Sequence, residues 1–132
     1  MNSVYKQLMT AEDANKRLPL VRAIVTDITR HAQELRDRRE RFEDVKGNSG
    51  DDESNCEEEL SRDMERLEDL IDELNQINVE LKDPIVGHVD FPALLGGRRV
   101  SLCWVLGEGE VGHWHEADAS FEDRRSLLET AN

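Results

Sequence analysis

His113 and His115 have the spacing that most directly suggests chemistry. They lie two positions apart in the segment 111–116, whose composition predicts a β-strand. Successive side chains of a strand alternate between its two faces, so both imidazoles would leave the same face, about 6.6 Å apart along the chain. Two imidazoles at that spacing can bind one divalent metal ion.

A metal ion needs more ligands than two histidines, and carboxylates are available nearby. A mixed set of imidazole and carboxylate ligands suits zinc, iron or manganese better than calcium. The hypothesis is therefore a site for one of these metals, and a metal-dependent hydrolase would be the corresponding activity. The predicted ligands are His113, His115, Glu116, Asp118 and Asp90, with Glu108 and His88 as alternatives.

Two interpretations of His115 need no metal. In the favoured one it is a structural histidine, hydrogen-bonded to Asp118 or Glu108, while Trp104 and Trp114 pack the sheet against the helices. In the other, His115 acts as an acid or base near neutral pH with Glu108 or Asp118 as its carboxylate. No nucleophile motif or phosphate-binding glycine loop accompanies these residues.

The two cysteines, Cys56 and Cys103, are predicted to be free thiols. Cys103 lies in an apolar run with no neighbour in sequence that would lower its pKa, so it is interpreted as a small core residue rather than a nucleophile. The first residues lack the features of a secretory signal, and no apolar run is long enough to cross a membrane. A cytoplasmic protein is expected.

Residues 10–82 carry two stripes of apolar residues at helical spacing, one on either side of a glycine-rich acidic break at 47–52. The second stripe ends at Leu81. In an antiparallel arrangement the stripes come into register, with Leu35 opposite Leu67. The sequence therefore predicts a long helical hairpin.

The start of the first helix is indicated by Thr10 and Asp13, which have the spacing of a capping box with aspartate in place of glutamate. Pro19 has no N–H to donate, so it should kink this helix or split it in two. Asn78 occupies a position on the second apolar stripe, where a polar residue can fix the register.

Charge is the other feature of the predicted hairpin. The chain has 17 Lys and Arg against 30 Asp and Glu, a net charge of −13, so neither nucleic acids nor anionic membranes are expected as partners. Basic residues of the first helix are therefore interpreted as counter-charges for the acidic second helix. They are Arg30, Arg36, Arg38, Arg39, Arg41 and Lys46.

Two helices alone leave their outer flanks exposed, so a hairpin of this length favours pairing with a second copy. The favoured function is accordingly a homo-oligomeric interaction or scaffold module, a dimer whose acidic helix could also face a basic protein partner. A small-molecule sensor, with a pocket between sheet and helices, is a further alternative.

Residues 87–116 predict a small three-stranded antiparallel sheet. Gly96-Gly97 is a two-residue hairpin turn, and pairing across it places Val89 opposite Trp104 and Asp90 opposite Cys103. One face of this hairpin is then large and apolar, and the other is small or polar. The predicted fold class is α+β in a single domain, 1–132, with a loosely held C-terminal tail at 117–132.

The register of the third strand has two alternatives. A four-residue turn at 107–110 would put His113 opposite Trp104, on the face away from Asp90. A turn one residue shorter or longer, or a bulge, would bring both histidines to the face of Asp90 and Cys103. Sequence alone does not choose between them.

Several segments together resemble a prokaryotic family, domain-of-unknown-function family 2203. The resemblance covers about residues 8–125 and implies a small cytoplasmic protein without an established activity, so it assigns no catalytic residues. Departures from the family's pattern are His113, Ser120 and the acidic stretch 47–59. The segments are 10–15, 18–21, 81–83, Val89-Asp90-Phe91-Pro92, Leu102-Cys103-Trp104, Gly107-Glu108 and Trp114-His115-Glu116, with Asp118 and Phe121.

Overall fold

Two long helices and five strands follow one another in the computed structural model, which describes residues 8–45 and 51–130. Strands β1 to β5 form one antiparallel sheet, in which the strand order is the order along the chain. The α+β class and the helical hairpin are confirmed, but the sheet has five strands rather than three. The elements are α1 (Ala11–Val45), α2 (Asp51–Gln76), β1 (Glu80–Asp83), β2 (His88–Leu95), β3 (Arg98–Val105), β4 (His113–Glu116), a 3₁₀ helix (Phe121–Asp123), β5 (Arg125–Ser126) and α3 (Leu127–Thr130). Of the predicted acidic break, residues 47–50 lie outside the described residues, and Asp51 begins α2.

The capping box at the start of α1 is confirmed. The backbone N–H of Asp13 donates to Thr10 Oγ1 at 3.1 Å, and the backbone N–H of Thr10 donates to Asp13 Oδ2 at 3.2 Å. These bonds satisfy two backbone donors at the helix end. The bond from the Thr10 N–H stabilises the ionised carboxylate and lowers the pKa of Asp13.

Pro19 does not split the first helix, because α1 continues through it without interruption. A proline inside a helix removes one backbone hydrogen bond. The carbonyl that loses its partner is that of Asn15, which is half-buried and so has access to water. Packing along the rest of α1 then maintains the helix.

The second helix ends earlier than the apolar stripe predicts. α2 stops at Gln76, and Asn78 has a φ of 61°, the left-handed conformation that ends many helices and that asparagine adopts more readily than most residues. The N–H of Val79 then donates to the carbonyl of Leu74 at 3.0 Å. Asn78 therefore ends the helix instead of setting its register, and Leu81 belongs to β1.

The helices pack as predicted along their apolar stripes. Ile28 and Leu74 are completely buried in one core cluster. The predicted counter-charge is present at Arg38, whose guanidinium pairs with Asp63 and lies 3.4 Å from Glu59. These contacts between the helices fix them as an antiparallel pair.

The register of β2 and β3 is the predicted one, with Val89 opposite Trp104 and Asp90 opposite Cys103. The turn at Gly96-Gly97 has positive φ at both residues, which a glycine pair adopts without strain. The large apolar side chains of this hairpin belong to the core cluster shared with the helices. The sheet therefore covers the hairpin with one face and carries its polar residues on the other.

At one edge of the sheet, Met9 lies beside β2, ahead of the first helix. Its N–H donates to the carbonyl of Pro92 at 3.1 Å, and its carbonyl accepts the N–H of Leu94 at 3.0 Å. The Met9 side chain is 2% exposed. This contact joins the beginning of the described chain to the sheet.

Of the two predicted registers of β4, the structure has the one that places both histidines on the same face as Asp90. His113 pairs with Cys103, and His115 pairs with Ser101. The connection spans residues 106–112 instead of forming a four-residue turn, and Asn15 of α1 holds it in place. The N–H of Val111 donates to Asn15 Oδ1 at 2.7 Å, and Asn15 Nδ2 donates back to the carbonyl of Val111 at 3.3 Å.

The predicted loose tail is wrong for the described C-terminal residues. β5 pairs with β4, with Ser126 opposite His113 and Arg125 opposite Trp114. The N–H of Leu127 also donates to the carbonyl of Gly112 at 2.9 Å. Residues 121–126 thus complete the sheet and lie next to its polar residues.

Candidate metal site on the outer face of the sheet

The face of the sheet opposite the helices carries the side chains that could bind a metal ion. Asp90 of β2, Cys103 of β3 and His113 of β4 lie in one row across three neighbouring strands. His88 and His115 have the same parity, so their side chains leave the same face. Alternation along three strands therefore gathers these side chains on a single surface.

Asp90 lies between two histidines and is hydrogen-bonded to both. Its Oδ1 is 3.1 Å from His88 Nε2, and its Oδ2 is 3.0 Å from His115 Nε2. The exposed fractions of the three side chains are 2% for Asp90, 5% for His115 and 11% for His88. A buried carboxylate is tolerated only when it is well paired, and the two imidazoles supply that pairing.

The hydrogen bonds of His115 determine where a proton lies. Its Nδ1 is 2.7 Å from the carbonyl oxygen of Glu116, which can only accept, so Nδ1 carries a hydrogen. The other ring nitrogen, Nε2, lies 3.0 Å from Asp90 Oδ2. His115 is thus fixed at both ring nitrogens and holds the Asp90 carboxylate in one orientation.

His88, Asp90 and Cys103 form the ligand cluster, a group that could hold a metal ion. One ligand atom from each lies within 4.8 Å of the other two. Zinc binds nitrogen and oxygen at about 2.0 Å, which puts two ligand atoms of a tetrahedral site about 3.3 Å apart. The 3.1 Å between His88 Nε2 and Asp90 Oδ1 is close to that spacing.

The thiol of the ligand cluster is buried. Cys103 has no exposed surface, and this burial raises its pKa. The guanidinium of Arg124 lies 3.7 Å from its sulfur and offsets part of that effect by favouring the thiolate. An inaccessible thiol is a poor nucleophile toward solutes, but burial does not prevent it from binding a metal ion beside it.

Arg124 and Phe121 lie next to the ligand cluster and come from the C-terminal segment. The ring of Phe121 is 4.6 Å from that of His88, and the guanidinium of Arg124 is 4.4 Å from the Phe121 ring. Arg124 also makes a two-point ion pair with Glu108, at 2.7 and 3.3 Å. The positive charge beside Cys103 is therefore balanced by a carboxylate.

The ion pair also determines the titration of Glu108. Partial burial raises its pKa, but the bonds from Arg124 and from the N–H of Val105 lower it more, with a further contribution from His113, so the net pKa is lowered. Arg124 shows the reciprocal effect, since its bond to Glu108 raises its pKa. The connection after β3 and the C-terminal segment are held together by this pair.

This pair predicts a stability that depends on pH. Because the folded pKa of Glu108 is below its ordinary value of 4.5, the ionised group stabilises the fold above that pH. The contribution is lost as pH falls through the folded pKa. Urea unfolding should therefore find Glu108→Gln less stable than the wild type at pH 7, with a gap that narrows below about pH 4.5.

Glu110→Gln is the matched control, since this carboxylate is exposed in the same connection. It should follow the wild type across the whole pH range. A gap between Glu108→Gln and the wild type that stays constant from pH 7 to pH 3 would contradict this assignment.

The structure brings together only part of the predicted ligand set. Asp90 and His115 are in contact, and His113 lies in the same row as Asp90. Glu116 has the opposite parity and pairs with Arg98, so its side chain lies on the other face. Asp118 is exposed in the turn after β4.

The two interpretations of His115 without a metal predict a hydrogen bond to Asp118 or Glu108. In the structure, the carboxylate that contacts His115 is that of Asp90. His88, which the sequence predicts as an alternative ligand, contacts Asp90 directly. Cys103 is fully buried, as the sequence predicts, but it lies beside His88 and Asp90. The predicted pairing of Asp90 with Cys103 was the signal that could have placed the thiol in the site.

Both cysteines are free in the structure, as predicted: Cys56 lies on α2 and Cys103 on β3. Within residues 8–45 and 51–130, no helix is long and apolar enough to cross a membrane.

Comparison with known proteins gives one family match. A family of uncharacterised conserved proteins, DUF2203, matches residues 7–127. No curated protein and no solved structure shows significant similarity to the chain.

Proposed function

The chain belongs to the DUF2203 family of uncharacterised conserved proteins, and from the polar face of its sheet we propose that it binds a divalent transition-metal ion through His88, Asp90 and Cys103. The observation that carries the proposal is the convergence of three different donor atoms within 4.8 Å of one another. Each donor comes from a paired strand, so the backbone holds the group together.

The donor set favours zinc over the other metals considered. A thiolate sulfur and an imidazole nitrogen are good ligands for zinc, whereas manganese and calcium prefer oxygen ligands. Iron(II) is the main competitor for a mixed set of this kind. The ion-paired Arg124 and Glu108 add little net charge, so they do not oppose a cation.

His115 is proposed to orient a metal ligand instead of binding the metal. Its Nε2 is 3.0 Å from Asp90 Oδ2, which leaves Oδ1 for the ion. Residues that hold a metal ligand in place in this way typically contribute 10- to 100-fold to affinity.

The proposal is tested with protein purified without a histidine tag, stripped with a chelator and titrated with zinc. We expect one zinc per chain, measured by elemental analysis after removal of unbound metal. Binding of less than about 0.1 zinc per chain would refute the proposal.

Substitution of His115 should weaken zinc binding without removing a ligand. We expect His115→Gln to lower the affinity by about 10- to 100-fold in competition with a chromophoric chelator, because Asp90 loses its fixed orientation. His113→Gln is the matched control on the same strand and should change the affinity less than about threefold. A strong and similar loss in both variants would instead support the ligand set predicted from the sequence, which contains both histidines.

A hydrolytic reaction remains a prediction. Three protein ligands leave a fourth position for water, which is the usual arrangement of catalytic zinc. A metal-free acid or base at His115 has less support, because only 5% of that side chain is exposed.

The homodimer also remains a prediction, and each helix exposes one large apolar side chain. Leu20 on α1 is 54% exposed and Met64 on α2 is 41% exposed. Sedimentation at several concentrations measures whether the helical hairpin associates. The small-molecule sensor and the basic protein partner also remain predictions.

A further inference from the structure

A groove that shares no lining residue with the ligand cluster lies between the helical hairpin and the connection from β1 to β2. It has a volume of about 260 Å³. Its apolar surface comes from both helices and from that connection. The apolar lining residues are Ala32, Leu35, Leu67, Pro84 and Ile85.

The wall of the groove formed by Pro84 and Ile85 is held in one conformation. Asp83 Oδ1 accepts the N–H of Ile85 at 2.9 Å and the N–H of Val86 at 3.3 Å. The N–H of Gly87 then donates to the carbonyl of Asp83 at 2.9 Å. The groove is therefore largely formed before any ligand enters.

Two arginines complete the lining, Arg36 and Arg39 of α1. They are three positions apart and so lie on the same side of the helix. Arg38, between them, pairs with Asp63 and Glu59 of α2. Among the carboxylate side chains that the structure describes, none lies within 4 Å of the guanidinium of Arg36 or Arg39.

The positive charge of both guanidinium groups is thus available to a ligand, in a chain that has 30 Asp and Glu and a net charge of −13. A guanidinium binds a carboxylate at two points, in a geometry that adds both energy and specificity. An apolar groove with these groups at its rim is complementary to a molecule with an anionic head and an apolar chain.

We propose that this groove binds a fatty carboxylate, with its head at Arg36 and Arg39 and its alkyl chain against Leu35, Leu67 and Ile85. The volume is too small for a folded partner and suits a single alkyl chain. Burial of that chain against the apolar lining favours binding, and the two arginines select for a negatively charged head group. The proposal does not depend on the metal site.

The test uses the full chain and isothermal titration calorimetry with decanoate, kept below its micellar concentration. We expect saturable binding of one decanoate per chain, and binding of decanol at least about tenfold weaker, since the alcohol lacks the charge. Decyltrimethylammonium should not compete with decanoate.

The variant Arg36→Gln/Arg39→Gln should bind decanoate at least about tenfold more weakly. The control is Arg41→Gln, an exposed arginine of the same helix that does not line the groove. It should change the affinity less than about twofold. All these positions are on the helix surface, and circular dichroism confirms that the variants are folded.

Three results would overturn the proposal. They are the absence of saturable decanoate binding, equal binding of decanoate and decanol, and an equal loss of affinity in Arg41→Gln and in the double variant. Loss of zinc binding in the ligand-cluster variants would leave decanoate binding unchanged, so the two proposals fail separately.

Discussion

Substitution of Asp90 by asparagine is expected to weaken zinc binding by at least about 100-fold, or about 2.7 kcal/mol. The amide has the size of the carboxylate but lacks its charge, and its nitrogen cannot bind a metal ion. The amide keeps a single oxygen, which cannot both bind the ion and accept the hydrogen bond that His115 makes with Asp90 at 3.0 Å. The loss of charge and the loss of one oxygen both weaken binding.

Asp118→Asn is the matched control for this substitution. It removes the same charge from an exposed position three residues after His115, and it also tests the ligand set predicted from the sequence. Zinc affinity should stay within about threefold of the wild type. A strong loss in Asp118→Asn, with Asp90→Asn close to the wild type, would contradict the assignment.

Because Asp90 is buried, its substitution can destabilise the fold as well as remove a metal ligand. His88→Gln provides a second variant, since the His88 side chain is 11% exposed and lies nearer to solvent. It should lower zinc affinity by about 100-fold or more. Urea unfolding of the metal-free variants separates a loss of ligand from a loss of fold.

Gly87→Ala is expected to destabilise the fold by about 2 to 5 kcal/mol, the sum of a backbone and a packing effect. Gly87 has a φ of 80°, where an alanine is strained. A Cβ at this position would lie 2.8 Å from the Cβ of Leu106, 2.9 Å from a methyl carbon of Val25 and 3.1 Å from one of Thr29. The sheet and α1 therefore approach each other too closely for a side chain here.

Gly97→Ala separates the two effects. Gly97 has a φ of 82°, but nothing lies within 4 Å of the position that its Cβ would take. It should therefore lose only the backbone part, about 1 to 2 kcal/mol in urea unfolding. Equal losses in the two variants would show that close packing at Gly87 contributes nothing.

The parts of the fold that local chemistry determines could be predicted from the sequence. The Gly96-Gly97 turn fixes the pairing of β2 with β3, because a two-residue hairpin leaves only one register. The capping box at Thr10 is also local. The apolar stripes predict the helical hairpin. They do not predict where the second helix ends, because Asn78 continues the helical spacing of the stripe although it lies beyond the helix.

The parts that depend on distant contacts could not be predicted. The register of β4 is set where Asn15, on the first helix, bonds to both backbone groups of Val111. β5 has only two residues, and Arg124 before it is tied to Glu108. Neither of these contacts between distant residues can be recognised from a local sequence pattern. The sequence could therefore indicate a group of possible metal ligands, but not which of them lie together.

The strand order has a consequence for how the chain folds. Each strand pairs with its neighbour in sequence, so most of the sheet forms by closing short loops, which is fast. Contacts between distant segments, such as those from Met9 to Pro92, from Asn15 to Val111 and from Arg22 to Gly109, carry the larger loop-closure entropy. We therefore expect them to form late, when two locally assembled halves dock.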